Sequence, residues 1–225
     1  MGDLTVYRDI IQGTEEWHEL RRGIVTASVV GKLLTPTLKV ASNDTSRTLT
    51  LSLMAERITG NADPEYFGWD MMRGVEDEPR ARDLYAQHHS PVEECGFMVR
   101  TIDGHRIGYS PDGLVGDVGL IEVKSRLQKH QLRTILDDRV PDEYVAQIQC
   151  GLLVSGRRWC DFISYCGGMP LFVKRVTPDL MWQASITAAV AALEASIALS
   201  TSLYRDLVRG LPLAERAPDL SEIAI

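Results

Sequence analysis

Asp112 lies in the turn Ser110-Pro111-Asp112-Gly113, and the apolar run that follows, GLIEVKS at 119–125, carries Glu122 and Lys124. Side chains alternate across a strand, so Glu122 and Lys124 share one face while Ile121 and Val123 take the other. Asp112 ends the neighbouring hairpin arm, which lets the three heads converge at one sheet edge. Carboxylates brought together repel unless a divalent cation lies between them, and hard oxygen ligands suit Mg²⁺ or Mn²⁺ rather than zinc. A lysine beside such a metal orients or deprotonates an attacking water, or neutralises charge developing on a phosphate. Acid, spacer, then acid-x-lysine is therefore the pattern of a phosphodiester-hydrolysing site. An isolated Glu-x-Lys on a strand is more often a solvated ion pair. Here the Pro-Asp-Gly turn and the flanking apolar residues favour chemistry.

Positioning those heads needs a sheet, and the surrounding pattern supplies strands. GFMVRTI (96–102), HRIGYSPDGLV (105–115) and GLIEVKS read as three short strands of an antiparallel meander, separated by Asp-Gly or Gly-containing turns. Upstream, EEWHELRRGIVTASVVGKLL has helix character interrupted by Gly23, with Thr26 or Ser28 placed to cap a second helix. The polar stretch 35–47 reads as a mobile loop. TLTLSLMAERITG reads as a helix ended by Gly60, and 71–89 as another with Pro79 in its first turn. Downstream come a basic helical piece at 127–136, a helix over DEYVAQIQCGLLVSG stopped by Gly156, and strands RWCDFISYC and LFVKRV. Thr177 caps and Pro178 starts a long Ala-rich helix to about Leu207. This order predicts one α/β domain over 1–225, its core at about 13–208 and a tail beyond, with a mixed central sheet flanked by helices.

Bulk properties narrow the function. The 225 residues are enough for one sizeable core, and 44% hydrophobic with 24% charged residues is ordinary for a globular protein. No run approaches the roughly 18–20 apolar residues of a membrane span, so no membrane partner is expected. The start MGDLTVYRDIIQ lacks the basic-then-apolar pattern of a secretion signal and reads as cytoplasmic. Cys95, Cys150, Cys160 and Cys166 show no CxxC pairing and read as reduced core thiols. The net charge of −7 argues mildly against nucleic-acid binding. Lys124 to Arg139, however, holds five Lys or Arg against two Asp, and Arg21-Arg22 is a second basic spot, so a local basic groove is compatible with the acidic body. His88-His89 has no third ligand at useful spacing and reads as a helix-end surface pair.

The motif resembles that of the PD-(D/E)xK nucleases, and more closely the lambda-exonuclease-like, YqaJ-type viral recombinase family. GTEEWHELRRGIVTAS (13–28), RGVEDEPRARDLY (73–85), and SPDGLVGDVGLIEVK with YVAQIQ (144–149) carry the likeness. The resemblance implies a restriction-endonuclease-like core. It makes Asp112, Glu122 and the Val123 carbonyl metal ligands, Lys124 the catalytic lysine, Gln147 the support of the nucleophilic water, and Glu78 a further active-site acid. Arg21 and Ser28 match residues that hold the DNA 5′-phosphate. A guanidinium forks onto phosphate oxygens, and a hydroxyl at a helix start is a natural anion seat. Each has a plainer reading: a helix-dipole complement for Glu78, a surface arginine, an N-cap serine and a satisfied buried amide for the others. Their joint match to one family outweighs these. The KSR that follows the motif departs from the Cys-Pro of lambda exonuclease, so the phosphate loop is expected to differ.

The same resemblance implies a phage- or prophage-encoded 5′-to-3′ exonuclease with two Mg²⁺ ions per site. It would act on double-stranded DNA ends as a homotrimeric ring, alongside a single-strand annealing protein. An endonuclease of the same fold has little use for an end-phosphate pocket. An iron–sulfur nuclease lacks its cysteine spacing. A non-catalytic DNA-binding subunit would tolerate lost acids, and the expected acids are all present.

Overall fold

The computed structural model describes residues 2–64 and 68–216. In chain order these form β1 (Leu4–Tyr7), α1 (Glu15–Arg21), β2 (Val25–Thr26), α2 (Ala27–Val30), a 3-10 turn (Gly31–Leu33), α3 (Asp44–Thr59) and α4 (Trp69–His88). Then come β3 (Phe97–Ile102), β4 (His105–Tyr109), β5 (Gly113–Val115), β6 (Gly119–Ser125), α5 (Gln128–Asp137), α6 (Asp142–Ser155), β7 (Trp159–Tyr165), β8 (Phe172–Val176) and α7 (Leu180–Leu207). The fold is α/β with mixed sheets flanked by helices, as expected, but the sheet is divided in two. One runs β1-β3-β4-β2 and the other β5-β6-β7-β8. Each holds one parallel pair, β2 with β4 and β6 with β7.

The division breaks the expected three-strand meander. β3 and β4 pair antiparallel, as do β5 and β6, but the chain leaves the first sheet after Tyr109 and enters the second at Gly113. Pro111 has no N–H to give a ladder, so a strand cannot run through it as a central element. Asp112 therefore sits at the seam between the sheets.

Helices on both faces of β6 and β7 bury the sheet. On one face Leu120, Cys160 and Phe162 pack with Ile148 and Leu152 of α6 and with Ile186, Val190 and Leu193 of α7. On the other, Ile121, Val123 and Ile163 pack under Ala81 and Tyr85 of α4. All four cysteines are buried and free.

Several boundaries differ from the sequence reading. The strands β1 and β2 were not expected. Thr26 does stand at the N-cap position of α2 but makes no side-chain cap bond there. Helix α3 starts at Asp44, because Asn43 and Ser46 form a capping box that draws part of the polar stretch into the helix. A Leu34–Val40 bridge closes what remains of that stretch. Helix α4 starts at Trp69, so Pro79 lies deep inside it and leaves the Val75 carbonyl without its helical donor. The cap of α7 is Asp179, which accepts from the Met181 and Trp182 N–H groups, not Thr177. By contrast α3 and α6 stop where expected, at Gly60 and Gly156, with left-handed φ of 72° and 71°.

Helix α7 also corrects the expectation that no segment could span a membrane. By length and composition it can. Its alanines raise hydropathy without forming a run of large apolar residues. One stripe, Ile186, Ala189, Val190, Leu193 and Ile197, is buried in the core. Glu194 on the same helix holds Arg57 of α3 through two bonds of 2.7 and 2.6 Å. One stripe of α7 thus packs on the core, while Leu199, Leu203 and Leu207 stay exposed.

Candidate active site

Strand alternation puts Glu122 and Lys124 side by side, and the Lys124 ammonium donates to Glu122 Oε1 at 2.7 Å. Gln147 of α6 donates its amide to the same oxygen. Tyr109, the last residue of β4, donates to Glu122 Oε2 at 3.3 Å. Glu122 is fully buried, so these three donors replace the water it has lost. Tyr109 can reach it because Gly151 of α6 has no side chain: a Cβ there would lie 2.7 Å from the phenol ring.

Asp112 is held by the strand it faces. Its Oδ2 accepts from the Val123 N–H at 2.6 Å, which aligns the seam with the edge of β6. Glu78 comes from the middle of α4, not from a first turn. Arg82, one turn on, donates to Glu78 Oε1 at 2.8 Å and pairs also with Glu94.

The charges do not balance. Burial, then the carboxylates of Glu122 and Glu78, hold the Asp112 carboxyl well above its usual range, against the pull of Lys124 and the Val123 N–H. Glu78 is raised as well, chiefly by burial, with Arg82 offsetting part of the rise. Burial works against the Lys124 ammonium, but Glu122 and Asp112 outweigh it and hold the group above the ordinary lysine range. The Lys124 ammonium is thus the neutralising charge among these acids.

The surplus of negative charge suits a divalent cation. Among the described residues no three His, Cys, Asp or Glu side chains form a metal cage. Asp112 and Glu122, with a main-chain carbonyl such as that of Val123, form a partial oxygen donor set. Such a set fits Mg²⁺, which keeps waters and takes substrate phosphate oxygens to complete its shell.

Arg21 reaches the same seam. Its guanidinium lies 4.0 Å from the centroid of the Trp17 ring and donates to Ser110 Oγ at 3.1 Å. Trp17 Nε1 donates to the same oxygen at 2.9 Å. Ser110 is two residues before Asp112, so α1 is tied directly to the carboxylate turn. The β2–β4 pairing, Val25 with Ile107 and Thr26 with Gly108, brings the start of α2 to the same strand exit. Ser28 Oγ is bonded to Thr26 Oγ1 at 3.0 Å there.

A profile of the YqaJ-like viral recombinase domain matches residues 16–158, well over half of the chain. The chain belongs to the YqaJ-like viral recombinase family. Similar solved structures are those of LHK-Exo, an alkaline exonuclease of Laribacter hongkongensis. In complex with dAMP it is 34% identical, covers 88% of this chain and 100% of its own, and has a TM-score of 0.77. A second LHK-Exo structure covers 86% and 100%, at 34% identity and a TM-score of 0.73. A phage-related exonuclease from Haemophilus somnus, 13% identical over 82% of this chain and 98% of its own with a TM-score of 0.61, shares the fold. No curated protein matches. Family and relatives together support a nuclease role in recombination.

For a member of this family, the structure gathers Asp112, Glu122, Lys124, Gln147 and Glu78 into one cluster and sets Arg21 beside it. Ser28 lies at the neighbouring helix start with its hydroxyl turned to Thr26. His88 and His89 lie at the exposed end of α4, with His89 stacked on Tyr85 at 4.9 Å. Sequence reading missed Tyr109, Ser110 and Trp17. Ser110 was inside the quoted turn, but its role depends on a partner 89 residues away.

Proposed function

We propose that this chain is a Mg²⁺-dependent exonuclease that enters linear double-stranded DNA at a 5′-phosphorylated end. It would degrade that strand 5′ to 3′ and leave a 3′ single-stranded tail. The observation that carries the polarity is the bond from Arg21 to Ser110, two residues from Asp112. It sets a guanidinium suited to a terminal phosphate beside the acids suited to a metal. Asp112, Glu122 and the Val123 carbonyl would hold the cation, two ions per site being expected, with Mn²⁺ able to substitute. The metal supplies Lewis-acid stabilisation of the phosphoryl oxygens and lowers the pKa of water. Lys124 neutralises charge building on the scissile phosphate and can return a proton. Gln147 fixes the Glu122 carboxylate and has a second amide hydrogen to orient water. Glu78 adds an acid from the α4 side. A protein with net charge −7 holds DNA poorly by its overall field. A homotrimeric ring around the duplex, handing its tail to a single-strand annealing protein in a phage-infected cytoplasm, completes the reading.

The test is digestion of linear duplex with 5′-phosphate, 5′-hydroxyl or covalently closed ends, in Mg²⁺ and in chelator. The expected result is fast loss of 5′-phosphorylated duplex only, abolished by chelator. Cutting of closed-end duplex would make the chain an endonuclease. Binding without cutting in any metal would make it a non-catalytic subunit.

A further inference from the structure

The KSR that departs from the lambda-exonuclease pattern places an arginine one strand step beyond the lysine. Glu122, Lys124 and Arg126 occupy alternate positions, so they lie along one face, with about 6.6 Å between successive members. Helix α6 runs beside that face with matching residues. Gln147 meets Glu122, and the Tyr144 ring lies under both cations, 5.4 Å from Lys124 Nζ and 5.1 Å from the Arg126 guanidinium carbon. Arg126 Nη1 donates to the Tyr144 hydroxyl and, at 3.0 Å, to Glu143 Oε1.

The Arg126 side chain is only 9% exposed, yet its Nε is buried with no hydrogen-bond partner among the described residues. The carboxylate that meets it belongs to a side chain 61% exposed. A guanidinium this deeply buried, whose Nη1 is neutralised by one loosely held surface acid, is built to exchange that acid for another anion.

We propose that Arg126 is a phosphate-binding residue for the DNA strand being cut. It takes the phosphate next to the scissile one, with the Glu143 carboxylate occupying that place until DNA displaces it. Two cations on one tyrosine ring then grip consecutive phosphates, and a strand advancing by one nucleotide passes from one to the other. This rests on the nuclease reading above, so wild-type cleavage is measured alongside.

The experiment is equilibrium binding of a 5′-phosphorylated duplex in Ca²⁺, by fluorescence anisotropy across a salt series, for wild type, Arg126→Ala, Arg126→Lys and Glu143→Gln. Each phosphate contact contributes about one to the slope of log K against log salt. Arg126→Ala is expected to lower that slope by about one and to weaken binding about tenfold. Arg126→Lys should restore the slope, and Glu143→Gln should tighten binding about two- to threefold because the competing acid is gone. An unchanged slope in a folded Arg126→Ala protein, or weaker binding in Glu143→Gln, overturns the assignment. If Arg126→Ala does not fold, the sign of the Glu143→Gln effect decides alone. Absence of cutting by wild type would sink the nuclease reading instead, whatever the slopes show.

Discussion

The paired strands β6 and β7 carry a buried acid on each face, and the two acids are treated in opposite ways. On the face under α4, Asp161 is 3% exposed and fully matched. Arg175 of β8 holds it through two bonds of 2.8 Å, and the Tyr85 hydroxyl donates to it at 2.7 Å. The arginine in turn stacks on Trp159 at 3.7 Å. Burial and the Asp161 carboxylate push the Tyr85 phenol above its ordinary range, so it stays a donor. On the face under α6, Glu122 is as deeply buried but sits among Asp112 and Glu78, with Lys124 as the cation bonded to it. One acid met by one guanidinium is a lock that fixes α4 to the sheet. Acids in excess of their cations are an incomplete site, and the proposed metal and DNA phosphate would complete it.

The contrast can be broken most forcefully at Asp112. Asp112→Asn keeps the size of the side chain and an oxygen for the Val123 N–H, but removes a charge that the proposed metal would need. Cleavage of duplex DNA in Mg²⁺ should fall by about a thousandfold or more. Lys124→Ala should cost about a hundred- to ten-thousandfold in single-turnover rate. Calorimetric metal binding should survive, since the lysine does not hold the ion; joint loss of both would make it a counter-charge for Glu122 instead. Arg21→Ala should reduce the rate preference for 5′-phosphate over 5′-hydroxyl ends by about ten- to a hundredfold, with the hydroxyl-end rate little changed. A preference that survives in this variant would remove Arg21 from the phosphate pocket.

On the opposite face the order of effects reverses. Asp161→Asn should destabilise the fold by about 1–3 kcal/mol in urea unfolding, because Arg175 and Tyr85 lose a charged acceptor. Turnover per folded molecule should stay within about twofold. A loss of rate larger than the loss of folded protein would mean that the α4 lock is part of the site.

Much of the first face could be read from the chain because its residues lie close in sequence. Asp112, Glu122 and Lys124 span one turn and one strand, and the period of two fixes which heads share a face. The stops at Gly60 and Gly156 were equally local. What escaped was short or distant. β1 and β2, of four and two residues, are too brief to show alternation. The break in the meander at Pro111 is present in the sequence, but the pattern over 105–115 reads as one strand running through it. Nothing local marks Asp161, because its partner Tyr85 is 76 residues away on another element. Ser110 was hidden in the same way, since nothing local marks a hydroxyl that gathers Trp17 and Arg21.

Negative charge is in excess at one face of β6, and the melting temperature of metal-free protein tests this most directly. Asp112 has a raised carboxyl pKa in the folded chain. Its contribution to stability is therefore full below the ordinary aspartate range and is lost as pH rises through the folded value. At pH 8 with chelator, Asp112→Asn should melt above wild type by about 2–8 °C, and the gap should close as the pH is lowered toward 4. Mg²⁺ should raise the wild-type melting temperature more than that of the variant. If Asp112→Asn melts below wild type at pH 8, or the gap does not depend on pH, Asp112 is not held among repelling carboxylates and the charge surplus is not the basis of this site.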